Sequence, residues 1–148
     1  MQPARICYNE AMKPSGVFSL IAGLGLDICE IARIQKAMEN PRFLPRVLTE
    51  GERERVSSRG ANTAAGLFAA KEAVAKALGS GFDGFGLQDV EILWDDVGRP
   101  LCRLTGGAAE RLKRIGGDGV FVSITHDGGV AAAVAVIEAG AAMNFKKV

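Results

Sequence analysis

Residues 67–78, Leu67-Phe68-Ala69-Ala70-Lys71-Glu72-Ala73-Val74-Ala75-Lys76-Ala77-Leu78, limit the architectures open to this chain more than any other stretch. Most positions are strong helix formers, and the apolar residues run around the circumference rather than along one stripe. A helix of this kind belongs in the middle of a domain. It nevertheless carries Glu72 and Lys76, four residues apart and therefore neighbours on one face. An exposed ion pair at that spacing is worth only about 0.3–0.5 kcal/mol, too little to account for two charges in so apolar a segment. A carboxylate and an ammonium on a rigid element can instead hold a metal ion and a phosphate.

With 148 residues, 48% of them hydrophobic and 24% charged, the chain can build one globular domain with a real core. The formal net charge of +1 argues against a broad nucleic-acid surface, although the Arg-rich segment 42–59 can still form a local basic patch. Cys7, Cys29 and Cys102 are odd in number and scattered, which fits neither a disulfide framework nor a zinc site and points to a reducing interior. The apolar run 17–26 is short, broken by glycine and ended by Asp27, so it does not read as a membrane span. Residues 1–15 lack the pattern of a signal peptide. The expectation is a cytoplasmic protein with neither membrane nor nucleic acid as partner. Residues 1–16 are expected to be a loosely ordered extension, and residues 17–148 a single domain.

Residues 17–26 read as the first strand. Phe18, Leu20, Ala22, Leu24 and Leu26 share one parity, and Gly23 and Gly25 sit on the other, where bare glycines let a neighbour approach the backbone. Asp27 falls at the end of this strand, and residues 28–38 continue as a helix until Asn40-Pro41 stops it. Asp27 is thus either an N-cap or a group with a chemical role. After an amphipathic piece over 43–48, Thr49 and Glu52 match a capping box that starts another helix. Residues 57–62 are polar and turn-like, residues 63–78 make the central helix, and the glycine-rich run 79–86 breaks regular structure. Residues 89–94 alternate, with Val90, Ile92 and Trp94 on one face, and 100–104 return as an antiparallel partner. Thr105 is placed to cap a short helix carrying Ala108, Ala109, Leu112 and Ile115. Residues 120–126 alternate again and set His126, the only histidine, beside Val120, Val122 and Ile124; Asp127-Gly128-Gly129 then turns into an Ala- and Val-rich strand over 130–138. A lone histidine there is either satisfied by a backbone neighbour or part of a site.

Three segments together resemble the signatures of the holo-[acyl-carrier-protein] synthases, in that family's order and close to its spacing. They are Gly23-Leu24-Gly25-Leu26-Asp27-Ile28-Cys29-Glu30-Ile31, Phe68-Ala69-Ala70-Lys71-Glu72-Ala73 with Lys76, and Val122-Ser123-Ile124-Thr125-His126-Asp127. The resemblance implies a 4'-phosphopantetheinyl transferase-like α+β fold, an antiparallel sheet packed with a long central helix. It also implies transfer of the 4'-phosphopantetheine group from coenzyme A to a serine of apo-acyl carrier protein, releasing adenosine 3',5'-bisphosphate and supporting fatty acid biosynthesis. The family's cation is usually Mg2+, which neutralises charge on the pyrophosphate while keeping one or two carboxylate ligands.

On this resemblance Asp27 and Glu72 are metal ligands. Lys76 lies near the reacting phosphate, where it either neutralises charge, the role favoured here, or takes the serine proton. His126 lies by the coenzyme A phosphates. Asp127 either orients a water or is a turn residue before Gly128. Gly79 and Gly81 offer backbone amides to coenzyme A or merely connect elements. Acyl carrier proteins are acidic, so Arg33, Arg42 and Arg46 are matched to the family's docking surface, with Leu44 and Val47 as exposed apolar neighbours. Leu67 departs from the pattern, because many members carry a basic residue there; the contact it makes to the 3'-phosphate must then come from elsewhere. The resemblance also implies a homotrimer with sites at subunit interfaces, since the chain carries one set of motifs where larger relatives carry two halves; the small residues of 130–136 would suit its packing. Two other classes fit the same residues: a metal-dependent phosphohydrolase, and a binding module without catalysis.

Overall fold

The structure, a computed structural model, describes residues 20–139. The expected extension over 1–16, and the start of the strand expected from 17, lie outside the described residues. In chain order the elements are β1 (Leu20–Glu30), α1 (Ile31–Ala37), α2 (Phe43–Val47), α3 (Glu50–Arg59) and α4 (Ala61–Ala77). A 3-10 turn (Leu87–Asp89) follows, then β2 (Val90–Trp94), β3 (Pro100–Leu104), α5 (Gly106–Arg114), β4 (Gly119–Asp127) and β5 (Val130–Ala139). The strands form an antiparallel sheet in the order β1-β5-β4 and a separate β2-β3 hairpin. This is the α+β arrangement the sequence implies.

α4 lies directly on the three-stranded sheet. Ala64, Ala65, Ala69, Ala70, Ala73 and Ala77 are buried, and beneath them Ala131, Ala133, Ala135 and Ile137 of β5 are buried too. Small side chains on both surfaces bring the helix close, and the two glycines of β1 bring it closer. A methyl at Gly25 would overlap the Ala73 carbonyl oxygen, and one at Gly23 would overlap that of Ala77. The helix ends where Gly79, at φ 74°, takes the left-handed conformation that costs glycine little.

The structure moves several expected boundaries. β1 runs on to Glu30, because it pairs with β5 along its length down to Val130 and Ile31 N then donates to Gly129 O. Asp27 therefore lies inside a strand and caps no helix; Glu30 holds the N-cap position of α1 without a side-chain bond. The turn expected over 57–62 shrinks to Gly60, at φ 78°, since α3 continues to Arg59 and α4 begins at Ala61. Thr105 does precede α5, but it makes no capping bond, and its hydroxyl faces Asp89 instead. The alanines 131, 133 and 135 serve α4 rather than a neighbouring copy, which leaves Ala132, Val134 and Val136 on the other sheet face.

α3 is fastened to α4 by a buried ion pair. The capping box forms as expected, Thr49 N donating to Glu52 Oε2 at 2.8 Å. The same carboxylate accepts from Ile92 N (2.8 Å) and pairs with Lys71 Nζ (2.8 Å), and both side chains are essentially inaccessible. Lys71 also donates to Leu87 O and Val90 O, so each of its three donors has an acceptor. Burial pushes the Lys71 pKa down, and the Glu52 carboxylate opposes that shift. Removing one partner from a buried pair strands the other charge, at a cost of about 3–5 kcal/mol. Lys71→Met should therefore lower the unfolding free energy by about that much in a urea titration. Adding Glu52→Gln should return part of the loss, because no buried charge remains. A single variant as stable as the parent would contradict this role.

Candidate active site

The close seating of α4 on β1 brings together residues far apart in the chain. Gly25, Asp27 and Cys29 face inward from β1, toward the helix, while Leu24, Leu26 and Ile28 face out. Lys76, one helical turn beyond Glu72, reaches Asp27 Oδ1 at 2.8 Å and the Leu26 carbonyl at 2.9 Å. Lys76 thus pairs across elements with Asp27, in keeping with the reading that an i,i+4 ion pair with Glu72 does not account for these charges. Glu72 remains half-buried. Burial first, and the neighbouring Asp27 charge second, push its carboxyl above the usual range, while Lys76 and Arg33 pull it back. Two carboxylates that repel one another beside a lysine make a site short of positive charge. Such a donor set suits a hard cation that takes oxygen ligands and completes its shell with water and phosphate. Among the described residues no group of three or more His, Cys, Asp or Glu is assembled for a metal.

His126 belongs to a second grouping. Its Nε2 lies 2.8 Å from the Asn62 carbonyl; a carbonyl only accepts, so Nε2 carries the proton and Nδ1 is left as an acceptor. Gly66 makes room for the ring, since a methyl there would stand 2.8 Å from Nε2 and 2.9 Å from Ile124 Cγ2. Asp127 is exposed at the end of β4. Beside His126 opens a cavity of about 270 Å³, lined among others by Arg55, Arg59, Leu67, Trp94 and Pro100. Leu67 is buried and contributes no charge. Arg55 and Arg59 were not singled out from the sequence, where they merge into a long Arg-rich run. The signal was there, however: they stand one turn apart on the helix that the Thr49 capping box begins.

The two groupings are not adjacent within one chain. Asp27 pairs across the sheet with Ala133 and His126 with Ala131, so β5 lies between them and the strands are about 10 Å apart. Glu72 stands six residues beyond Gly66, about 9 Å along the helix axis. Gly79 and Gly81, both at positive φ, lie past the C-terminal end of α4, with Lys76 and away from His126.

A third feature is a groove of about 610 Å³ lined by Lys36, Arg42, Phe43, Arg46, Val47 and Phe68, among others. The Arg33 guanidinium sits 5.9 Å from the centroid of the Phe68 ring. Arg33 therefore adjoins, through Phe68, the groove that Arg42 and Arg46 line. Val47 is buried rather than exposed and Leu44 is half-buried, so the apolar part of the groove falls to Phe43 and Phe68.

The fold and these groupings define a phosphopantetheinyl transferase domain. Residues 23–135 match the model of the 4'-phosphopantetheinyl transferase superfamily, to which the chain belongs. A holo-[acyl-carrier-protein] synthase of Clostridium botulinum is 48% identical over 122 residues, covering 80% of this chain and 98% of the relative. The crystal structure of the Helicobacter pylori holo-[acyl-carrier-protein] synthase in complex with coenzyme A aligns with a TM-score of 0.69 at 33% identity, covering 77% of this chain and 98% of that one. The corresponding Bacillus anthracis structure, in complex with CoA (3',5'-ADP), aligns with a TM-score of 0.68 at 35% identity, covering 80% and 97%. The protein is an enzyme of the holo-[acyl-carrier-protein] synthase type.

The seat of His126 can be tested directly. Gly66→Ala should force the ring away from Asn62 and shift the imidazole NMR signals, with helix content by circular dichroism unchanged. Imidazole signals identical to the parent's would contradict the contact.

Proposed function

We propose that the enzyme transfers the 4'-phosphopantetheine group of coenzyme A to a serine of apo-acyl carrier protein. The reaction is Mg2+-dependent, releases adenosine 3',5'-bisphosphate and serves fatty acid biosynthesis in the cytoplasm. The observation that carries this reading is the meeting of Asp27, Glu72 and Lys76 where α4 crosses β1. Relatives named for the same activity, and solved with coenzyme A, support it. Among the described residues no helix is long and apolar enough to cross a membrane.

In this reaction the serine oxygen forms a bond to the phosphorus that carries the pantetheine arm, and the bond from that phosphorus to the bridging oxygen breaks with its electron pair leaving on the nucleotide phosphate. The serine proton passes to water. Asp27 and Glu72 would hold Mg2+, which when bound supplies charge neutralisation on the phosphates. The Lys76 ammonium donates to phosphate oxygens and offsets the charge developing on the leaving group, an electrostatic role. Gly79 and Gly81 present backbone amides on the same side. His126 stands beside the coenzyme A phosphates, its Nδ1 accepting from a water that Asp127 orients.

The division of these residues supports a composite site in a homotrimer. Each chain carries the Asp27 half at one edge of its sheet and the His126 half at the other, with α4 between them. Ile21, Leu24, Leu26 and Ile28 on the outer face of β1, and Phe121 on β4, are each more than half exposed. So continuous an apolar face calls for a partner, and a second copy would bring the two halves into one site. The acidic carrier is proposed to dock in the groove of Arg33, Arg42 and Arg46, where opposite charge steers the approach.

Incubating the purified protein with coenzyme A, Mg2+ and apo-acyl carrier protein should add one phosphopantetheine mass to the carrier. Asp27→Asn and Glu72→Gln should each lower the rate by about 100-fold or more with circular dichroism unchanged. Nucleotide breakdown without a change in carrier mass, or full turnover in either variant, would refute the assignment.

A further inference from the structure

The cavity beside His126 has a feature that neither the proposed cation site nor the docking groove uses. The Arg55 guanidinium lies 3.8 Å from the centroid of the Trp94 ring, well within cation–π range. Arg55 belongs to α3 and Trp94 to the last position of β2, so the contact ties two walls of the cavity together. Stacking occupies only the face of a guanidinium and leaves its in-plane N–H groups to bind something else. Among the described residues neither Arg55 nor Arg59 has a carboxylate partner. No acidic residue lines the cavity; its charged or ionisable side chains are Arg55, Arg59 and His126. Burial, and then the neighbouring Arg59 charge, both push the Arg55 pKa below its ordinary value. Two guanidiniums lining one cavity without a counter-charge make a receptor for a compact anion carrying more than one negative charge. At about 270 Å³ the cavity is smaller than the ~300–1,000 Å³ that encloses a whole ligand, so it suits one end of a long one.

We infer that Trp94 is a positioning residue that fixes Arg55 so that Arg55 and Arg59 bind the 3'-phosphate monoester of coenzyme A, supplying the positive charge that Leu67 does not. The inference rests on the proposed use of coenzyme A and deepens it. It makes the enzyme selective for coenzyme A over 3'-dephospho-coenzyme A, and it assigns that selectivity to a stacked pair rather than to a residue of α4. An arginine free to rotate would lose more side-chain entropy on binding phosphate; one already held over the indole loses less.

Trp94 is the only tryptophan in the chain, so its fluorescence reports directly on the cavity without any turnover. The full-length protein is titrated with coenzyme A and with 3'-dephospho-coenzyme A, without carrier protein. Coenzyme A should alter the emission and bind roughly tenfold or more tightly than the dephospho compound. In Arg55→Met the two dissociation constants should draw to within about threefold of each other. For the tryptophan variants, which lack the reporter, the same two ligands are compared by calorimetry and by their KM in the transfer assay. Trp94→Phe should keep most of the preference and Trp94→Leu should lose most of it, with the larger change in KM rather than kcat. A preference that survives Arg55→Met, or Trp94→Leu behaving like Trp94→Phe, would overturn the assignment. Discriminating binding without modification of the carrier would instead overturn the transfer reading and leave this one standing.

Discussion

The backbone of α4 rests on the backbone of β1, and the arrangement of the site follows from that contact. Gly23 and Gly25 have no Cβ to hold the helix off, and the alanines of α4 and β5 fill the space with little bulk. At this separation a side chain of ordinary length spans the junction, so Lys76 reaches both Asp27 and the Leu26 carbonyl. A larger residue at position 25 would displace the helix and separate the two carboxylates without touching either. The same closeness recurs at the other end of α4, where Gly66 admits His126. Glycine placement thus decides how closely α4 approaches Asp27 and His126.

Adjacent residues of α4 serve different neighbours. Lys71 and Glu72 are successive in the chain, and the helix turns one about 100° from the other. Lys71 points into the core, where Glu52 and two carbonyls hold it, and so secures α3 and the β2 strand to the central helix. Glu72 points to the β1 junction, half-buried beside Asp27. Fastening α3 also fixes Arg55 and Arg59 relative to Trp94, since Glu52 accepts from Ile92 on that same strand. The buried pair therefore bears on both groupings without belonging to either.

Local chemistry carried most of the fold. The capping box at Thr49, the two hairpins, the central helix and the role of glycines 23 and 25 could all be read from residue type and spacing. What could not be read was the choice between local and distant partners. Glu72 and Lys76 read as charges that a helical pair does not explain, but nothing local said that the lysine would meet Asp27 of β1. Asp27 looks like a cap until β5 extends the ladder past it. Lys71, in an apolar run beside a conspicuous glutamate, gave no sign of pairing with Glu52, because nothing in sequence links positions 52 and 71. Trp94 read as one side of a hairpin, and only the packing of α3 against β2 set Arg55 over it.

Each chain carries the Asp27 and His126 groupings on either side of α4, and in the proposed enzyme the Asp27 half of one copy joins the His126 half of another. Mixing two variants tests this directly. Asp27→Asn and His126→Ala, each prepared alone, should be nearly inactive. Refolded together in equal amounts, they should recover about a quarter of the parental activity, the statistical share of interfaces that receive an intact half from each copy. If the mixture is no more active than its components, the two halves do not act across copies and the account is wrong.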